Sequence, residues 1–148
     1  MLIVNVASEC GYTDNHYREL VELQSHFPDD SFVILAFPCN QFGSQEPKRN
    51  SAIERFAKQT YAVQFPMFAK IKVIGENAHP IYKWLKTING EEPNWNFCKY
   101  LLDNQGKVAK FESPNVSPLA MYNDIENLIF HGSLEGSTSQ EAGKHSEL

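Results

Sequence analysis

The stretch Leu2-Ile3-Val4-Asn5-Val6-Ala7-Ser8-Glu9-Cys10-Gly11-Tyr12-Thr13 decides the fold. Its first six residues form a continuous rather than alternating run, dominated by β-branched side chains, as in a strand covered on both faces. The run stops at Ser8, a cysteine follows, and a helix is due. Thr13 or Asp14 can cap that helix, and Tyr17, Leu20, Leu23 and Phe27 recur at helical spacing until Pro28-Asp29-Asp30 breaks the pattern. Cys10 therefore sits where strand hands over to helix, near the partial positive charge of a helix N-terminus, which favours thiolate over thiol. On this local pattern alone a small buried hydrophobe is the more usual description of a lone cysteine.

Outward from there, Phe32-Val33-Ile34-Leu35-Ala36-Phe37 is a second strand of the buried type, stopped by Pro38. Strand, helix and strand of these lengths predict a crossover joining two parallel strands. The polar segment Cys39 to Pro47 lies just past the carboxyl end of the second strand, where α/β folds place their sites. Ser51 and Glu54 read as a capping box opening a second helix, with Ile53, Phe56, Ala57 and Tyr61 as its apolar stripe. Ala69 to Ile74 reads as a short extended piece. Pro80 suits the first position of a third helix, with Ile81, Trp84, Leu85 and Ile88 on one face and Asn89-Gly90 at its end. Lys99 to Leu102 and Lys107 to Phe111, joined by Asp103-Asn104-Gln105-Gly106, predict a hairpin. Ser117-Pro118 opens a last helix with Tyr122, Ile125, Leu128 and Ile129 inward. The expected fold class is α/β: a central mixed sheet with helices on both faces, the thioredoxin layout.

The chain has 148 residues, 42% of them hydrophobic, enough for one core and too few to need two. A single domain over residues 1–131 is expected, followed by a disordered tail over residues 132–148, where apolar side chains nearly vanish. A net charge of -5 without basic runs excludes a nucleic-acid footprint. Leu2 to Ala7 is too short for a membrane span and lacks the flanks of a signal peptide. A chain that opens inside a buried-type strand predicts lost upstream sequence. Three cysteines, Cys10, Cys39 and Cys98, are too few and too far apart for a disulfide framework or a paired zinc motif, and no metal or organic cofactor is expected. A thioredoxin-type dithiol would need a second cysteine at position 13, where Thr13 stands; a local dithiol cycle is excluded.

Four segments, Asn5 to Thr13, Phe37-Pro38-Cys39-Asn40-Gln41-Phe42-Gly43, Gln45-Glu46-Pro47 and Trp95-Asn96-Phe97, resemble in order the signature segments of the glutathione peroxidase family. The match extends from about Leu2 to Phe130. Phe65-Pro66-Met67-Phe68 and Glu92-Pro93-Asn94-Trp95 bring the chain nearest to the cysteine-type, endoplasmic-reticulum branch of that family. The resemblance implies a monomer, since the short link before Trp95 lacks the assembly loop of tetrameric relatives. It also implies an upstream signal sequence and opening hairpin. Lys144-His145-Ser146-Glu147-Leu148 resembles a variant endoplasmic-reticulum retrieval signal, so the lumen or secretion is the expected location.

The resemblance assigns Cys10 as the peroxidatic residue and Gln45, Trp95 and Asn96 as the rest of a catalytic tetrad. The roles make chemical sense. A thiol of ordinary pKa, about 8.5, is only about 3% ionised near neutral pH, and peroxide reduction needs the thiolate. The departing oxygen is a poor leaving group unless donors reach it. Indole and amide N–H groups are neutral donors able to serve both ends. Without the resemblance, Trp95 reads as a core aromatic, Asn96 as a turn residue and Gln45 as a solvated loop side chain. The family's usual resolving cysteine falls in the helix around Ile53 to Thr60, where this chain has none. Cys39 is the internal candidate for resolving a Cys10 sulfenic acid, and Cys98 reads as a buried, inert thiol. The other route is an external thiol, glutathione or a protein disulfide isomerase. The expected function is reduction of hydrogen peroxide or lipid hydroperoxides. The alternative is a redox sensor or thiol-binding module with negligible turnover.

Overall fold

A computed structural model describes residues 1–134 of the chain. The elements are β1 (Leu2–Val6), α1 (Thr13–Ser25), β2 (Ile34–Pro38), α2 (Asn50–Tyr61), α3 (Pro80–Asn89), β3 (Lys99–Leu102), β4 (Val108–Glu112), a 3₁₀ turn over Pro118–Met121, and α4 (Tyr122–His131). The sheet runs β2-β1-β3-β4. β1 lies parallel to β2, with Leu2 opposite Ile34 and Val6 opposite Pro38, and antiparallel to β3, which pairs antiparallel with β4. This is the mixed, thioredoxin-like sheet that the sequence predicts.

The continuous apolar run of β1 is explained by its central place: all five residues are buried. Strand alternation divides them between two cores. Leu2, Val4 and Val6 face Tyr17, Leu20 and Leu23 of α1, Ala57 of α2 and Ile125 of α4. Ile3 faces Phe37, Tyr100 and Leu102, together with Tyr82 and Leu85 of α3. Each such aliphatic side chain stabilises the fold by roughly 1.5–3 kcal/mol. A one-residue slip of β1 would exchange the two cores, so its register and the position of Cys10 beyond its end are fixed together.

Three local expectations are corrected. Neither Thr13 nor Asp14 caps α1; its N-cap is Tyr12 and no side chain serves there. The Ser51 and Glu54 capping box does not form, because α2 already begins at Asn50 behind Arg49. The Asn50 side chain is instead engaged by the backbone N–H of Lys70 at 2.8 Å. The 69–74 segment is extended along the edge of β2, with the Ile71 N–H on the Pro38 carbonyl at 2.9 Å just past a single parallel bridge between Ala36 and Met67, but it forms no named strand. On α3 the buried residues are Tyr82 and Leu85, while Trp84 and Ile88 are each 43% exposed, since only a narrow face of this short helix meets the sheet. The predicted tail beyond residue 134, including Lys144 to Leu148, lies outside the described residues.

Candidate active site

Cys10 is half-buried in the turn between β1 and α1 and packs against the α1 side of the sheet. The turn owes its shape to Thr13. Its hydroxyl donates to the Ala7 carbonyl at 2.7 Å and accepts the Cys10 N–H at 3.0 Å, tying the start of the helix to the end of the strand. At the position where a dithiol motif would hold its second thiol, this chain thus holds a structural stitch. The backbone N–H of Tyr12, the helix N-cap, points at the Cys10 sulfur from 3.4 Å. A donor at a helix N-terminus has the polarity that an anionic sulfur needs.

Gln45, Trp95 and Asn96 meet one another. The Asn96 amide nitrogen donates to Gln45 Oε1 at 2.9 Å and to the Phe42 carbonyl at 3.2 Å, and Asn96 is fully buried. Trp95 packs over the same loop, with its ring 6.0 Å from that of Phe42. The link to Cys10 runs through backbone: Glu9 N–H donates to the Gln45 carbonyl at 3.0 Å. With its oxygen occupied by Asn96, the Gln45 amide presents its N–H₂ end as a donor, and among the described residues neither it nor the Trp95 indole N–H has an acceptor within the chain. These are the two donors that the proposed chemistry requires free.

Gly43 makes this approach possible. Its φ is +69°, and a Cβ there would lie 3.1 Å from Trp95 Cη2 and 3.2 Å from the Gln45 amide carbon and nitrogen. Gly43→Ala is expected to destabilise the fold by about 1 kcal/mol through the backbone alone, and to lower the reactivity of Cys10 further by pushing the two donors apart. Thermal melts and peroxide-driven loss of the Cys10 thiol, measured on the same samples, check both parts.

Three groups that sequence reasoning passed over hold this arrangement. Asn5, a polar residue inside the apolar β1, donates from Nδ2 to the Trp95 carbonyl at 2.9 Å, and its own carbonyl receives the Phe97 N–H, so it grips both sides of Asn96. Phe97 has a left-handed φ of +62°, strained for a side chain of this size. Lys99 supports that turn: its ammonium, wholly buried, donates to the Phe97 carbonyl at 2.9 Å and the Ser113 carbonyl at 3.1 Å, and contacts His16 Nε2 at 2.9 Å. Burial lowers the Lys99 pKa to about 8. Burial, then the Lys99 charge, lowers that of His16 to about 3, so His16 is neutral and accepts. Glu46 is the third: fully buried, with Oε1 taking the Ser8 N–H at 3.1 Å. The available signal was a polar residue inside an apolar run, as with Asn5 in β1 and Lys99 before Tyr100-Leu101-Leu102.

The remaining thiols are elsewhere. Cys39 is fully buried in the core on the α3 side of the sheet, across from the core that Cys10 packs against. Cys98 is buried with its sulfur on Asn94 Oδ1 at 3.3 Å. Burial raises the pKa of both thiols. Among the described residues no group of His, Cys, Asp and Glu is placed to hold a metal. No described helix is long and apolar enough to cross a membrane.

A family model described as glutathione peroxidase matches residues 1–86. The chain is 57% identical over 116 residues to glutathione peroxidase 7 of Homo sapiens, an alignment covering 78% of this chain and 62% of that protein's length. It is 46% identical over 133 residues to a probable phospholipid hydroperoxide glutathione peroxidase of Helianthus annuus, covering 87% of this chain and 74% of the relative. Among solved structures it is similar to Trgpx in apo form, with a TM-score of 0.67 at 39% identity, covering 86% of this chain and 78% of the other.

Proposed function

The chain belongs to the glutathione peroxidase family, and we propose on that premise that it is a thiol-dependent peroxidase acting through Cys10. The observation that carries the reading is the joining of Asn96 and Gln45 next to the Cys10 turn: the Asn96 amide orients the Gln45 amide donor-end outward, and the Gln45 carbonyl takes the Glu9 N–H. In the reaction the Cys10 thiolate attacks one peroxide oxygen and the O–O bond breaks. The sulfur is oxidised to sulfenic acid, and the other oxygen leaves as hydroxide or alkoxide and takes a proton. Gln45 and Trp95 serve as the donors that stabilise the developing oxyanion. Hydrogen peroxide and lipid hydroperoxides are the proposed substrates.

For the return step we infer an external thiol, glutathione or a protein disulfide isomerase. Cys39 and Cys98 are buried, Cys39 on the far side of the sheet, and their raised pKa values leave little thiolate to attack a sulfenic acid. Action as a monomer in the endoplasmic-reticulum lumen or secretory route is part of the same proposal, supported by the branch resemblance and by Lys144 to Leu148. Peroxide consumption with each reductant, combined with disulfide mapping after one equivalent of peroxide, tests the reading. Turnover and a mixed disulfide at Cys10 are expected. Consumption with neither reductant would overturn the enzyme reading, and a Cys10 to Cys39 disulfide would overturn the external route.

A further inference from the structure

Two parallel contacts join the Cys10 turn to the Gln45 loop. One is the backbone bond from Glu9 N–H to the Gln45 carbonyl; the next is the Ser8 N–H to Glu46 Oε1 at 3.1 Å. The Glu46 backbone N–H is itself anchored by Asn40 Oδ1 at 2.9 Å, and its carbonyl receives the Lys70 ammonium at 3.0 Å. The carboxyl is thus rigidly aimed at the cysteine turn. Its other oxygen, Oε2, is buried on the same side as the Ser8 and Tyr17 hydroxyls, and the Ser8 side chain favours the anion. A small cavity bordered by Ser8, Glu9, Glu46, Ile53 and Phe56 lies beside them. Burying a carboxylate opposes stability, and here it is spent on a contact to the cysteine turn.

We propose that Glu46 is a positioning residue that clamps the Cys10 turn against the Gln45 loop, and that its protonation loosens the clamp. The inference rests on the peroxidase reading for its functional meaning. As an anion, Glu46 gives the Ser8 N–H a charge-assisted acceptor; once protonated, the same contact is about half as strong. Desolvation raises its pKa to about 7, opposed by the Ser8 contacts and by Lys70, so the change falls in the neutral range. The groups facing it are Ser8 and Glu9 from the cysteine turn, Tyr17 from α1, Cys39 after β2 and Lys70 before α3, whereas α2 presents the apolar Ile53 and Phe56. Of these, Lys70 favours the anion, and Glu9 disfavours it.

The test compares native protein with Glu46→Gln, which keeps an acceptor oxygen and cannot titrate. Cys10 sulfenic-acid formation with hydrogen peroxide, and separately Cys10 alkylation by iodoacetamide, are followed from pH 5.5 to 8.5. The native-to-variant ratio of each rate reports the clamp. The ratio is expected to rise from about one below pH 6 to about fivefold at pH 8, while Glu46→Gln melts at a higher temperature than native protein at pH 8. A variant that is more stable yet less reactive is not the outcome of a merely structural role. A ratio that does not change with pH overturns the clamp. Native protein that is alkylated with this profile but forms no sulfenic acid overturns the peroxidase reading and leaves the clamp standing. Should the variant not fold, amide exchange in native protein decides: protection of the Ser8 N–H, corrected for intrinsic rate, rises several-fold between pH 6 and 8 with the clamp and stays level without it.

Discussion

Cys10→Ser is expected to abolish peroxide consumption, lowering the rate by at least about a thousandfold, while leaving the melting temperature within a few degrees of native. The chemical part follows from acidity and polarisability: a serine hydroxyl is far less acidic than a thiol, and its oxygen is a much harder nucleophile than sulfur. The structural part follows from the contacts of the turn. Thr13 holds it through the Ala7 carbonyl and the Cys10 backbone N–H, neither of which involves the sulfur, and the Tyr12 N–H can donate to oxygen as readily. The measurement is steady-state peroxide loss with glutathione or a disulfide isomerase as reductant, alongside thermal melts. Equal rates for the two proteins would remove Cys10 from the mechanism. The rate would then have to come from Cys39 or Cys98, both buried and both with raised pKa.

The fold was legible because its strands announce themselves by composition. Leu2 to Ala7 and Phe32 to Phe37 are continuous apolar runs, and only a sheet covered on both faces satisfies them. Helix ends were less legible, because a capping side chain competes for tertiary partners. Thr13 ties β1 to α1 through the Ala7 carbonyl in place of capping, and Asn50, in the first turn of α2, takes the Lys70 N–H, a partner 20 positions away that local sequence does not show. The inward face of α3 was misjudged for a related reason: periodicity gives an apolar stripe but not how much of it the sheet covers, and Trp84 lies at its uncovered margin.

The site was legible to a different degree at each layer. Cys10 could be singled out from its strand-to-helix position. Gln45, Trp95 and Asn96 could be joined to it only by family resemblance, since 51 positions separate Gln45 from Asn96 and nothing local pairs them. The supporting groups were legible only in part: Asn5 and Lys99 stand out as polar residues in or beside apolar runs, but their partners, and the burial of Glu46, are set by tertiary contacts. Each now has a stated task. Asn5 and Lys99 hold the 95–97 turn, and Glu46 holds the cysteine turn against the Gln45 loop.

Lys99→Met is expected to destabilise the protein by about 3 kcal/mol. Methionine has similar length and fills the volume, but it cannot donate to the Phe97 and Ser113 carbonyls or to His16 Nε2, and all three acceptors lose their partner. Leaving a buried acceptor unpaired costs about 1–3 kcal/mol. The sum is reduced because the native side chain carries its own penalty for burying a charge. That penalty sets the pH signature. The folded-state pKa of Lys99, about 8, lies below the ordinary lysine value of 10.5. Between those values the unfolded chain binds a proton that the folded chain does not, so native stability grows as pH rises through the window. Lys99→Met lacks this term, so the gap between the two proteins widens from pH 8 to pH 10, by up to about 2 kcal/mol. Denaturant unfolding of both proteins at three or four pH values in that range reads the gap directly. A gap that narrows with pH would mean that the ammonium is not desolvated as its burial requires. The variant also releases the left-handed Phe97, so at matched folded fraction its Cys10 reacts more slowly with peroxide. That loss follows from geometry, because Phe97 immediately follows Asn96 and its carbonyl is one of the three groups the ammonium holds.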